Sequence, residues 1–365
     1  MDKKMNVIRI PIYIKDLVLR KRKLNVSFQY IKKNEISNET VCKFLDKQIK
    51  FTEQNNVNQY KRLVSVTGVT GFSGSSAIGD FLGEFSNCTS LGGVCNKENP
   101  YRDSKEGFEF DFFRDAHGVY ELEKIYDLGN DRIISGAIED FLRLVKRNYD
   151  SGIYFYNDYY LYETQQFLRS ILDFHVEWDP WCWFFPKRIS KSEYRQIAKE
   201  YMHKLFLGIP SREYLVLDNI ASMSIPKKNI IKDYFGDVKI LASIRDPRDV
   251  YVNARIIPNN DWVPVDPDVF VKWYRWYYES FSSAENDSML LIHFEDFITN
   301  YDFIASKIAS FLDLNSFFHV DKFKYFNPEI SKKNVGLYKF YKNQDVINYI
   351  EKKLPEFIWS NHRNI

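Results

Sequence analysis

The stretch LVSVTGVTGFSGSSAIGDFL, residues 63–82, decides how the chain folds. Its first six residues form a short apolar run ending in Gly68, the pattern of a buried strand. A glycine- and serine-rich loop follows, and then Ile78, Phe81, Leu82 and Phe85 recur at helical spacing. Strand, glycine loop and helix make the βα unit that opens many parallel-sheet folds. Gly68, Gly71 and Gly74 let the backbone approach a ligand closely, and Ser73, Ser75 and Ser76 offer hydroxyl donors. The following helix presents unpaired N–H groups at its positive end. Gly71, Phe72, Ser73, Gly74, Ser75 and Ser76 therefore read as a cradle for phosphate or sulfate, the alternative being a tight βα turn. No lysine follows the last glycine, so the loop is not a Walker A sequence, which counts against an ordinary P-loop kinase.

Outward from this unit, three more short apolar runs read as buried parallel strands: 214–217, 238–244 and 289–293. The last precedes Glu295-Asp296 and a helical stretch carrying Ile304, Ile308, Phe311 and Leu312. Residues 86–107 read as one long loop, and 137–206 as helical and aromatic, broken at Pro180 and Pro186. Residues 1–60 are rich in Lys and Asn and read as an N-terminal extension. Within them Ile8, Ile10, Ile12 and Ile14 alternate as in a strand. Arg20-Lys21-Arg22-Lys23 reads as a solvated turn, with docking to an anionic membrane surface as the sharper alternative. No internal repeat or clear linker interrupts 61–365, so one domain is expected, an α/β fold of three layers around a mainly parallel sheet.

Composition narrows the function. Lys and Arg number 51 against 49 Asp and Glu, a net charge of +2, which makes no case for nucleic-acid binding. Cys42, Cys88, Cys95 and Cys182 are scattered, with no C-x-x-C pair or metal-ligand spacing; they point to a reducing compartment and to no metal. The N-terminal residues lack an apolar signal core, and no run of 18 apolar residues occurs, so a cytoplasmic protein without a transmembrane segment is expected.

Arg245-Asp246-Pro247-Arg248-Asp249 stands directly after the run 238–244. An arginine at the carboxyl end of a buried strand sits where open α/β sheets bind ligands, and its planar fork suits phosphate. Asp246 and Pro247 force a turn and can start a helix. The alternative is an arginine that ties the turn to a carboxylate.

Four segments together resemble the sulfotransferases that use 3′-phosphoadenylyl sulfate. KILASIRDPRDVYVNA, residues 239–254, is similar to their 3′-phosphate-binding strand, turn and helix, with Asn253 at the position of the family's serine. VTGFSGSSA, residues 69–77, resembles their 5′-phosphosulfate loop, Ser73-Gly74-Ser75-Ser76 matching its last four positions. LLIHFEDFITN, residues 290–300, looks like the strand followed by Arg-Tyr-Glu-Asp-Leu. Ser331 to Lys339 looks like the Arg-Lys-Gly-x-x-Gly-x-Trp-Lys loop that closes over the 3′-phosphate. The segments follow the family's order over roughly residues 63–355. Two departures stand out. The family's basic residue before Ser-Gly-Thr-Thr falls on Phe72, and Lys333 and Tyr338 replace a glycine and a tryptophan. Arg102, Lys105 and Arg114 are candidates for the missing cation.

The resemblance implies a P-loop NTPase-like, sulfotransferase-like fold and a divergent 5′ loop of the bacterial carbohydrate-sulfotransferase kind. It implies transfer of a sulfuryl group to an acceptor hydroxyl, on a glycan, leaving adenosine 3′,5′-bisphosphate. Residues 71–76 would hold the 5′ phosphosulfate; Arg245 and Asn253 the 3′-phosphate, helped by Lys332 and Lys333. Glu109 matches the general base of the Glu-x-x-Phe-Phe segment in glycan sulfotransferases; His117 is the competing base, and Asp218 a further one. The alternatives are an ATP- and magnesium-dependent kinase, and a non-catalytic nucleotide- or glycan-binding module of the same fold. Trp273, Trp276 and Tyr277 fall at i, i+3 and i+4 and read as core rather than acceptor groove, and His175, His203 and His293 as structural.

Overall fold

The computed structural model describes residues 39–49, 60–90, 119, 122–123, 131–150, 156–172, 175–177, 185–187, 189–207, 212–218, 234–256, 263–282 and 288–360. In chain order these form α1 (Glu39–Asp46), β1 (Arg62–Gly68), α2 (Ser75–Gly83), β2 (Cys88–Ser90), α3 (Asp131–Asp150) and α4 (Asp158–Leu172). A short hairpin, β3 (His175–Glu177) and β4 (Phe185–Lys187), comes next, then α5 (Lys191–Leu207), β5 (Tyr214–Asp218) and β6 (Val238–Ile244). The rest comprises α6 (Pro247–Ile256), α7 (Pro267–Ser282), β7 (Met289–His293), α8 (Phe294–Thr299), α9 (Tyr301–Leu312), α10 (Pro328–Ser331) and α11 (Gln344–Lys353).

Five strands pair in the order β2-β5-β1-β6-β7, every pairing parallel. Central strands of a parallel sheet are covered on both faces, and the burial of Leu63 to Thr67 on both sides of the pleat follows. Alternate residues supply the two faces. Leu63, Leu215, Leu217, Ile240 and Ala242 pack with α1, α3, α4 and α5. Val64, Val66, Val216, Leu241 and Ile292 pack with α2, α8 and α9. The result is the three-layer α/β fold expected. A third cluster joins α6, α7 and α11 through Val250, Phe270, Tyr274, Ile350 and Leu354. Each large apolar side chain so buried contributes roughly 1.5–3 kcal/mol.

Several expectations need correction. The supposed loop 86–107 contains β2, an edge strand of three residues. Its sequence, Cys-Thr-Ser, carries no apolar signal; pairing with β5 and tertiary bonds make it a strand. Ser90 Oγ donates to Gly79 O at 2.8 Å, and Thr89 Oγ1 accepts from Arg212 N at 3.0 Å. The stretch 137–206 is three helices with the β3–β4 hairpin between the last two, and Pro186 sits in β4 opposite Val176. A two-stranded hairpin leaves one edge of each strand without a ladder, which is where proline is tolerated. On α7 the residues turned fully into the core are Phe270 and Tyr274, while Trp276 is 39% exposed. Cys88 is free and buried, and burial pushes its thiol up to about 12. His203 pairs with Tyr60 Oη at 3.0 Å. No helix among the described residues is long and apolar enough to cross a membrane. The Ile8–Ile14 strand and the basic run 20–23 lie outside the described residues.

Part of the N-terminal 60 residues packs on the domain. Val41 of α1 is buried in the larger cluster, and Gln165 of α4 donates its amide to the carbonyls of Phe44 (2.8 Å), Leu45 (3.1 Å) and Lys47 (2.9 Å). These carbonyls lie at and just beyond the end of α1, where the helix leaves acceptors over; Lys47 N also donates to Phe44 O at 3.3 Å and Arg169 Nη2 to Leu45 O at 2.5 Å. Gln165→Ala is expected to cost about 1–2 kcal/mol and to speed amide exchange selectively in 39–46. Unchanged exchange there would mean that apolar contact and the Arg169 bond to Leu45 O hold the helix without the amide.

Candidate functional site

From β1 the chain passes to the β2 edge, returns at β5, and then crosses to β6 and β7. The direction of winding therefore reverses between β1 and β6, and the crevice beyond their carboxyl ends is where open α/β sheets take ligands. Gly68 stands opposite Ser243 in the register, so both chains leave the sheet side by side.

The glycine loop is folded on itself and onto β6. Val69 N donates to Ser243 O at 2.8 Å, Ser243 Oγ to Ser73 O at 2.6 Å, and Ser73 Oγ to Thr70 O at 2.8 Å. A side chain on Gly68 would place Cβ 2.3 Å from Ser73 Oγ and 2.6 Å from Thr70 O; on Gly74, 2.3 Å from the Phe294 ring. Phe72 (φ 64°) and Gly74 (φ 89°) are left-handed. A Cβ added at Gly71 would meet nothing within 4 Å, so space stands open beside the main chain there. α2 begins from Gly74 without a side-chain cap and with no acidic residue in its first turn. Its positive end is thus free of a built-in anion, which suits an external one.

Arg245 enters from β6. It is 3% exposed, donates Nη1 to Phe72 O at 3.1 Å and Nη2 to Asn334 O, and lies 5.0 Å over the Phe294 ring. Its Nε has no partner among the described residues. Tyr274 Oη fixes its carbonyl at 2.5 Å. Burial lowers the guanidinium's affinity for its proton, and Asp249, Glu295 and Asp246 oppose that shift. Among the described residues, the cation that touches the loop at Phe72 is Arg245.

The rest of the turn is architecture. Asp246 caps α6 by accepting Arg248 N at 2.9 Å and holds the Arg248 side chain at 3.0 and 2.8 Å. Asp246 N in turn donates to Glu295 Oε1 at 2.7 Å. Arg248 also reaches Glu351 at 2.7 Å and lies 3.8 Å from the Tyr338 ring centroid. Asp249 accepts from Gly336 N at 2.7 Å and Tyr338 N at 3.0 Å; burial raises its pKa against those two bonds and Arg245. Glu295, wholly buried, is pushed up to about 8, first by burial and further by Asp246, and its Oε2 has no partner among the described residues.

Of the residues singled out in the sequence, the structure brings Phe72, Ser73, Arg245 and the segment 332–338 together. Ser75 and Ser76 stand half-buried at the start of α2, and Asn253 is half-buried on α6. Lys332 is exposed and paired with Glu329 at 2.6 Å, and Lys333 is exposed. Asp218 ends β5 beside Val66. Glu109, His117, Arg102, Lys105 and Arg114 lie outside the described residues. Sequence reasoning gave Glu295 and Asp249 no role. The available signal was Glu295's place just after a buried strand, where the crevice opens.

No family model matches the chain, and no curated protein sequence matches it. Among solved structures it is similar to the sulfotransferase domain of the Synechococcus PCC 7002 olefin synthase, at 12% identity and TM-score 0.39, covering 84% of this chain and 98% of that one. It is similar to the sulfotransferase domain from the curacin biosynthetic pathway at 12% identity and TM-score 0.36, covering 81% and 99%. Sulfotransferase STF9 from Mycobacterium avium aligns at 11% identity and TM-score 0.35, covering 91% and 80%. With scores this low, the fold rests on the strand order itself.

Proposed function

We propose that the chain is a sulfotransferase that moves a sulfuryl group from 3′-phosphoadenylyl sulfate to a hydroxyl, on a glycan. The observation that carries this reading is the meeting of the glycine loop, the Arg245 turn and the 332–338 segment at the switch point of a parallel sheet. Those are three of the four motifs that resemble the family, separated by up to 260 residues or so in sequence and adjacent in space.

In this reading the N–H groups of 71–76 and the start of α2 bind the 5′ phosphosulfate. Arg245, Asn253, Lys332 and Lys333 bind the 3′-phosphate. Arg245 has one spare donor, Nε, and a phosphate gains its Nη2 by displacing Asn334 O. The acceptor oxygen attacks sulfur while Glu109, or His117 in its place, takes the hydroxyl proton. The bond from sulfur to the bridging oxygen breaks, and its electron pair leaves on the nucleotide phosphate. Fixed donors around the transferring group supply most of the rate enhancement.

Calorimetric titration with adenosine 3′,5′-bisphosphate, against ATP with magnesium, tests the donor site. Selective bisphosphate binding is expected, with Arg245→Ala weakening it by about 10- to 100-fold. Preference for ATP would replace the reading with a kinase. Phe72, standing where the family has a cation, favours one second reading, a module that binds the nucleotide without transferring sulfate. Bisphosphate binding without turnover on any glycan acceptor would select it, and turnover lost in Glu109→Gln with binding kept would exclude it.

A further inference from the structure

The acidic residue in the first turn of a helix commonly reaches back to the N–H of the capping residue. Asp249 occupies that third position of α6 and does not do so. The capping N–H, that of Asp246, is taken by Glu295. Both Asp249 oxygens turn outward from the helix to the segment 334–338 instead, one to Gly336 N and one to Tyr338 N. A fully buried carboxylate with two main-chain donors is a strong, directional tie.

The same segment is gripped at two further points by the same turn. Arg245 donates to Asn334 O, and the Arg248 guanidinium lies over the Tyr338 ring. Gly336 adopts φ 80°, the left-handed bend that lets its N–H and that of Tyr338 converge on one carboxylate. Val335 adds a partly buried apolar contact. Immediately before this strap stand the exposed Lys332 and Lys333.

Resting on the donor reading above, we propose that Asp249 is a positioning residue for the nucleotide. By holding Gly336 and Tyr338 it sets where the strap carries Lys332 and Lys333, and so sets the preference for a nucleotide bearing a 3′-phosphate. Asp249 touches no substrate; it acts through the strap. A merely structural Asp249 would stabilise α6 and, when removed, weaken every nucleotide alike.

The test is calorimetric titration of the full chain and its Asp249→Asn variant with adenosine 3′,5′-bisphosphate and with adenosine 5′-monophosphate. The wild-type chain is expected to prefer the bisphosphate. Asp249→Asn turns an amide N–H₂ toward one of the two donors, so bisphosphate affinity should fall by about tenfold and the monophosphate by less than about twofold. Gly336→Ala strains the strap without altering the buried carboxylate, and should compress the same ratio by about threefold even if Asp249→Asn does not fold. An unchanged ratio in a folded variant, with the wild-type preference intact, overturns this inference and leaves the donor reading standing. A wild-type chain with no preference overturns both.

Discussion

Stability of the Glu295→Gln variant is expected to vary less with pH than that of the wild-type chain, so that the variant gains on wild type as pH rises from 5 to about 8. Glu295 is wholly buried, accepts a bond from Asp246 N, and leaves Oε2 without a partner among the described residues. Burial dominates and, with Asp246 nearby, lifts its pKa from 4.5 to about 8, against the pull of Arg245 and the N–H bonds. Between those values the unfolded chain has lost a proton that the folded chain keeps. The folded state binds more protons, so stability falls as pH rises through this window and the penalty is complete above about 8. The loss amounts to as much as about 4 kcal/mol between pH 5 and pH 8. Glutamine keeps the acceptor for Asp246 N and cannot ionise. Its buried N–H₂ lacks a partner, so the variant starts about 1–3 kcal/mol below wild type in acid and gains on it with rising pH. Thermal midpoints measured from pH 5 to pH 9 check this; parallel curves for the two proteins would show that Glu295 does not titrate in that window. Below about pH 8 an uncharged Glu295 also leaves the Arg245 charge uncompensated from that side, which suits a residue meant for an anion.

β1, β5 and β6 were legible because they are central on a covered sheet, where runs such as 214–217 and 238–244 are buried on both faces; β7, an edge strand, was legible from the apolar run 289–293. β2 was not legible, since an edge strand of three small residues owes its conformation to β5 and to Ser90 and Thr89 bonds rather than to its own pattern. The need for glycine at 68 and 74 was visible as a motif, but its physical basis is the contact with Ser73 and with Phe294, the latter 220 residues away. The partnership of Asp249 with Gly336 and Tyr338 spans 87 and 89 residues, beyond any local period. In RDPRD the sequence shows two arginines and three carboxyl-bearing or turn-forming neighbours as equals. The fold separates them: Arg248 is consumed by Asp246, Glu351 and the Tyr338 ring, whereas Arg245 reaches the loop at Phe72 O and keeps Nε without a partner among the described residues.

Gly74→Ala is expected to damage both stability and the anion site, because two independent costs fall on one atom. The φ of 89° penalises any side chain by about 1–2 kcal/mol. The new Cβ would also lie 2.3 Å from one Phe294 ring carbon and 2.9 Å from two more, so the ring must move. Phe294 is 5% exposed and begins α8 in the core beneath the loop, which leaves it little room; overpacking of this kind costs about 1–3 kcal/mol more. Together the loss reaches roughly 2–5 kcal/mol. Arg245 lies over that same ring and holds Phe72 O, so a displaced ring moves the guanidinium and the loop together. Gly71→Ala is the control: its Cβ would meet nothing within 4 Å and its φ lies outside the left-handed region, so stability should change by less than about 1 kcal/mol. If that control nonetheless weakens bisphosphate binding while Gly74→Ala lowers the thermal midpoint, Gly74 serves the fold and Gly71 the ligand. Equal midpoints for the two variants would instead mean that the Phe294 ring yields freely and that the loop is not fixed by the packing beneath it.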